Sequence, residues 1–129
     1  MAQPSEQYVI AVVDDDASVC RAVGRLLTAH GFVAQSYASG SAFLREVGQR
    51  RIDAVVLDLH MEGLTGLQVM HRLRDTNSRI PVVILTGHGL PKSRSDAIES
   101  GASAFLEKPV DESVLISTIQ KLIDERQLK

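Results

Sequence analysis

The sequence predicts a doubly wound α/β fold, a parallel sheet of five strands with helices on both faces. Three observations lead there. Short β-branched runs alternate five times with longer helical patterns. The runs at 8–13, 54–57 and 80–85 are continuously apolar, as suits strands covered on both faces. Capping residues and glycines separate the two kinds of segment.

The elements follow in order. Tyr8–Val13 (YVIAVV) is too short for a buried helix and reads as the first strand, ending at Asp14-Asp15-Asp16. Val19, Val23, Leu26, Leu27 and His30 form one helical stripe, with Asp16 as N-cap and Gly31 as the stop. Phe32–Tyr37 reads as a polar outer strand, and Ser39 caps a helix carrying Phe43 and Val47. Ala54–Leu57 is a third strand before Asp58, and Leu64, Leu67, Met70 and Leu73 mark a third helix. Ile80–Leu85 is the fourth strand, entered at Pro81 and followed by Thr86-Gly87-His88-Gly89. A weakly apolar helix after Pro91 carries Ala97, Ile98, Gly101 and Ala102. Ala104–Leu106 precedes Lys108-Pro109, and Asp111 caps a last helix with Leu115, Ile119 and Leu122.

Right-handed crossovers leave few topologies. The flavodoxin-like order 2-1-3-4-5 puts the polar second strand at an edge and the apolar first and third side by side. Ligands of such sheets bind at the carboxyl ends of the strands, near the switch point between strands one and three.

Length and composition restrict the function. The 129 residues suit one domain, expected over 8–125 between a disordered tail at 1–7 and a tail at 126–129. Fourteen Lys and Arg against sixteen Asp and Glu, a net charge of −2, offer no surplus for gripping nucleic acid. One cysteine excludes an internal disulfide and the all-cysteine zinc sites, and it fits a reducing cytoplasm. No apolar run approaches the ~20 residues of a membrane span, and no secretory signal opens the chain. A P-loop, a G-x-G-x-x-G fingerprint and a G-x-S-x-G elbow are all missing from the sequence.

What remains is a set of side chains at the strand ends. Asp14 and Asp15 follow strand one, Asp58 strand three, Thr86 strand four and Lys108 strand five. Neighbouring strands run about 4.8 Å apart, so the carboxylates of strands one and three should converge. Two carboxylates ~5 Å apart at an effective dielectric near 20 repel by roughly 3 kcal/mol. Such a group raises a pKa or recruits a cation, and Mg²⁺ (or Mn²⁺) suits all-oxygen ligands. Taken singly, each acid is equally well explained as a cap for the next helix; the conjunction is not.

Val12-Val13-Asp14-Asp15-Asp16, Val55-Val56-Leu57-Asp58-Leu59-His60-Met61, Val83-Ile84-Leu85-Thr86-Gly87 and Glu107-Lys108-Pro109 together resemble the receiver domain of bacterial two-component response regulators, the CheY-like family. The likeness spans 8–125. Thr86-Gly-His-Gly89 further resembles the nitrogen-fixation-regulator (FixJ-like) branch, which usually carries a C-terminal helix-turn-helix DNA-binding domain.

The resemblance implies a signalling switch rather than an enzyme. Asp58 would accept a phosphoryl group from a sensor histidine kinase or phosphotransfer protein, forming an acyl phosphate. Asp14, Asp15, Asp58 and the backbone carbonyl of His60 would hold Mg²⁺. Lys108 would pair with Asp58 beforehand and with the phosphoryl oxygens afterwards, and the backbones of His60 and Gly87 would also contact that group. Thr86 and Phe105 would form the switch, Phe105 swinging inward as Thr86 moves toward Asp58. The output face would be the fourth helix, fifth strand and fifth helix, used for a phosphorylation-dependent homodimer or partner docking. The Lys108–Pro109 bond is expected to be cis.

His60 and His88 read plainly as exposed loop histidines; the sharper expectation is that their protonation modulates the acyl-phosphate lifetime. Glu62 stands where the family usually has Pro, adding charge at the cleft and loosening its loop. Cys20 reads as structural and His30 as a cap. A haloacid-dehalogenase-type phosphatase also starts from an Asp at a strand end, but it needs a carboxylate two residues later, where His60 stands.

Overall fold

Burial on both faces decides which strands lie at the centre. The computed structural model of the chain describes residues 7–76, 78–87 and 91–127. Through them run β1 (Val9–Val13), α1 (Ala17–Ala29), β2 (Val33–Tyr37), α2 (Gly40–Glu46), β3 (Ala54–Leu57), α3 (Gly66–Asp75), β4 (Val82–Thr86), α4 (Pro91–Glu99), β5 (Ala104–Glu107) and α5 (Glu112–Gln127). Every residue of β3 and β4 is buried, whereas β2, with Gln35 and Ser36, is largely half-exposed. The sheet accordingly runs β2-β1-β3-β4-β5, parallel throughout.

Alternate side chains feed two separate cores. Ala11, Val13, Val55, Leu57, Val82 and Ile84 face α2, α3 and α4, meeting Phe43, Val69, Met70, Leu73 and Ala97. Ile10, Val12, Ala54, Val56, Val83 and Leu85 face α1 and α5, meeting Val23, Leu27, Leu115, Ile119 and Ile123. Period-two alternation in the strands places one layer of helices on each face.

The caps hold the helix starts. Asp16 accepts the N–H groups of Ser18 and Val19, Ser39 that of Ala42, and Asp111 those of Ser113 and Val114. Thr65 and Gln68 form a reciprocal capping box at α3. His30 ends α1, its Nδ1 lying 3.0 Å from the Leu26 carbonyl, and Gly31 turns the chain at φ 89°.

Some expectations shift. Leu64 packs from the loop before α3, because Thr65 caps the helix one residue later. α4 ends at Glu99, so Gly101 and Ala102 lie beyond it; Gly101, at φ 106°, turns the chain toward β5. Of the weakly apolar residues on α4, Ala97 is buried and Ile98 is 46% exposed. α5 continues through Gln127, so residues 126 and 127 are helical and not a tail. The expected N-terminal tail, apart from Gln7, and the final two residues lie outside the described residues.

Candidate functional site

The carboxyl ends of β1, β3, β4 and β5 open onto a cleft of about 230 Å³, lined by Asp14, Asp15, Asp16, Asp58, His60, Thr86, Gly87 and Lys108. Parallel register puts them there: Val13 pairs with Leu57, and each strand leads straight into its aspartate. Oxygens of Asp14, Asp15 and Asp58 lie within 4.8 Å of one another. Three carboxylates so close, all hard oxygen donors, fit Mg²⁺. Two of them, Asp14 and Asp58, are buried at 4% and 6% exposure, which makes their uncompensated charge costly.

One cation of the chain answers that charge. Lys108 Nζ donates to Asp14 Oδ2 at 2.9 Å and lies 3.8 Å from Asp58 Oδ2. The expected pairing with Asp58 is therefore the longer of the two contacts. Both carboxylates share the one ammonium, and Asp14 takes the hydrogen bond. Asp58 titrates above the usual carboxylate range because burial disfavours its charge; Lys108 opposes the rise and Asp14 adds to it. The His60 N–H, 3.4 Å from Asp58 Oδ1, and a hydrogen bond with the Thr86 side chain also favour the ionised form.

The loop walls bring in one residue that the sequence reading did not single out, Gly66. Gly66 donates to the Leu59 carbonyl at 3.0 Å, and a Cβ on it would stand 2.5 Å from the Asp58 carbonyl oxygen. Only glycine lets α3 start that close to the phosphoacceptor candidate. Its signal was a Thr-Gly pair at a helix start, which looks like an ordinary cap. The Cys20 thiol donates to the Asp14 carbonyl at 3.3 Å, which supports the structural reading of that cysteine. The Glu62 N–H donates to Asp15 Oδ2 at 3.1 Å, so this residue ties its loop across the cleft instead of loosening it.

The other named residues fall as follows. Thr86 is fully buried. Phe105 is also buried, with the Arg94 guanidinium 5.7 Å from its ring centre. The Lys108–Pro109 bond is cis. His60 lines the cleft and is exposed; His88 lies outside the described residues, so the paired expectation for these two is only half described.

A parallel 2-1-3-4-5 sheet with an acidic cleft and a lysine at its carboxyl end defines a class, and the chain belongs to it: residues 10–120 match the response regulator receiver domain family. Members act as signalling switches of two-component systems and bind Mg²⁺ at an acidic pocket. Among its relatives is the transcriptional regulatory protein FixJ of Rhizobium meliloti, 32% identical over 88% of this chain and 56% of that protein. The response regulator protein TmoT of Ectopseudomonas mendocina is 34% identical over 89% of this chain and 52% of its own length. The full-length FixJ of B. japonicum superimposes with a TM-score of 0.86 at 33% identity, covering 92% of this chain and 58% of that one. The FixJ-like resemblance read from Thr86–Gly89 thus agrees with these relatives. The chain spans about half the length of both curated relatives. Among the described residues no helix is long and apolar enough to cross a membrane.

Proposed function

We propose that the chain is a phosphoacceptor switch in which Asp58 takes a phosphoryl group from a histidine kinase or a phosphotransfer protein. The observation that carries this reading is the meeting of three carboxylates, within 4.8 Å of one another, with an ammonium 2.9 Å from one and 3.8 Å from another. An Asp58 oxygen attacks phosphorus, the P–N bond to the donor histidine breaks, and the nitrogen leaves with the electron pair. The carboxyl becomes an acyl phosphate.

Positioning and charge neutralisation are what this transfer needs. Asp14, Asp15, Asp58 and the His60 carbonyl would hold Mg²⁺, which supplies positive charge to the phosphoryl oxygens. Lys108, already poised between Asp14 and Asp58, would move to a phosphoryl oxygen once Asp58 is phosphorylated. The Gly87 N–H and the Thr86 hydroxyl would take the others. Drawing Thr86 and its loop toward the new group would shift α4 and the Arg94–Phe105 contact, and so alter the α4–β5–α5 face. Ile98 and Val114, 46% and 43% exposed, give that face apolar points for a second copy or a partner. In a longer protein built like its relatives, the output would be control of transcription by an attached domain. As the switch works by contact between proteins, it would do so in the cytoplasm, without a membrane or nucleic acid touching this domain.

Intact mass after incubation with Mg²⁺ and a small phosphodonor tests the reading. One phosphoryl group is expected on the parent chain and on Asp16→Asn, and none on Asp58→Asn. Equal labelling of all three chains would refute it. Size-exclusion chromatography of the labelled chain then reads out self-association.

A further inference from the structure

α4 buries Ala97 alone of its nine residues, so apolar packing holds it only lightly against the sheet. Phe105 lies on the face of the sheet that α4 covers, packed in the same core as Ala97. Its partner in the β4–β5 ladder is Ile84, two residues before Thr86. Period-two alternation puts Ile84 and Thr86 on one face, so the ring and the Thr86 side chain share a side of the sheet. Both are inside: Thr86 is fully buried and hydrogen-bonds Asp58, and Phe105 is buried as well. A buried ring beside a Thr86 turned to Asp58 is the arrangement expected to follow phosphorylation.

The side chain over that ring is Arg94, an exposed residue of α4 whose guanidinium carbon lies 5.7 Å from the ring centre. At such a distance the negative face of an aromatic ring attracts a cation. A guanidinium suits the place because it is planar and more weakly hydrated than an ammonium. No acid competes for it: among the described residues, no carboxylate lies within ion-pair distance of Arg94. Asp96, two residues on, is paired instead with Lys92 at 3.9 Å. A ring moving outward would have to displace the guanidinium and, with it, the first turn of α4.

We infer that Arg94 is a positioning residue for the switch of this chain: its guanidinium favours the buried position of Phe105 and ties the first turn of α4 to β5. It sets the balance between two arrangements of α4; it is not what makes the switch possible. The inference rests on the phosphoacceptor reading of Asp58. A cation over a ring at an exposed position shifts such a balance about two- to fivefold.

Two substitutions, alone and combined, test it. Arg94→Gln removes the charge at nearly equal helix propensity. Phe105→Leu removes the ring face and keeps a buried apolar side chain. Amide hydrogen exchange reads the contact: in Arg94→Gln the α4 amides should exchange about two- to fivefold faster than in the parent, while those of α1 keep their rate. In the Phe105→Leu background, Arg94→Gln should add nothing. Titration with fluoroberyllate and Mg²⁺, a phosphoryl analogue that binds reversibly, reads the switch. Coupling between sites is reciprocal, so its affinity should fall in Arg94→Gln by up to about fivefold, although Arg94 does not line the cleft. That fall, too, should vanish in the Phe105→Leu background. Parent-like α4 exchange, an effect of equal size in the Phe105→Leu background, or an unchanged fluoroberyllate affinity overturns the positioning role alone. A parent chain that binds no fluoroberyllate overturns the phosphoacceptor reading and this inference with it.

Discussion

α1 and α4 follow β1 and β4, whose carboxyl ends open onto the cleft, yet they are held in different ways. α1 runs thirteen residues, starts at a side-chain cap and buries Cys20, Val23 and Leu27. α4 runs nine residues, buries Ala97 and leaves Ile98 exposed. Polar contacts near its end complete the attachment: Arg74 of α3 donates to the Gly101 carbonyl at 3.0 Å, and His71 Nε2 lies 3.1 Å from Ser100 Oγ. The Arg94–Phe105 contact adds one more. Apolar burial is tight and all-or-none, whereas exposed polar contacts exchange with water at small net cost. The helix after β1 is thus held by apolar burial and the helix after β4 largely by exchangeable polar contacts, which makes α4 the easier of the two to shift.

Four measurements would break or sharpen that contrast. Leu27→Ala, which empties a fully buried site under α1, should lower unfolding free energy by about 2–5 kcal/mol in urea titrations. Ala97→Gly in α4 should cost about 1 kcal/mol, since one methyl and helix propensity are all it removes. A loss at α4 equal to that at α1 would erase the distinction.

The third concerns acid. Hydrogen bonds from the Ser18 side chain and then from the Ser18 and Val19 N–H groups hold the Asp16 carboxyl below its ordinary value. Because the unfolded chain binds that proton more readily, the cap's contribution is whole above about pH 4 and fades as pH falls further. Asp16→Asn keeps an acceptor, so it should match the parent at pH 7 and lose less on acidification, read by urea midpoints at both pH values. Smallest of all, Ile98→Ala should change stability by no more than about 0.5 kcal/mol. Its effect should appear instead as weaker self-association of the phosphorylated chain, by size exclusion.

Much of the site was legible because each residue sits next to a strand whose pattern is local. Asp14, Asp58, Thr86 and Lys108 were placed by reading where apolar runs end, and they line one cleft. Gly66 was not legible, since its need comes from the Asp58 backbone, whose carbonyl oxygen a Cβ here would approach to 2.5 Å, and not from its own neighbours in sequence. The exposure of Ile98 was not legible because a weak stripe fits either side of a short helix. Lys108 lies within ion-pair distance of the expected Asp58, but its closer contact to Asp14 was not legible, because two carboxylates compete for one ammonium.

Sequence alone determined the alternation of strands and helices, the caps at Asp16, Ser39 and Asp111, and the edge position of the polar β2. All of these follow from interactions within a few residues, or from how apolar a segment is. Tertiary structure decided which carboxylate takes the lysine, 94 residues away, and which amide holds Asp15, 47 residues away. Such choices depend on differences of about an ångström and on local desolvation, and these exist only once the sheet has brought its strand ends together.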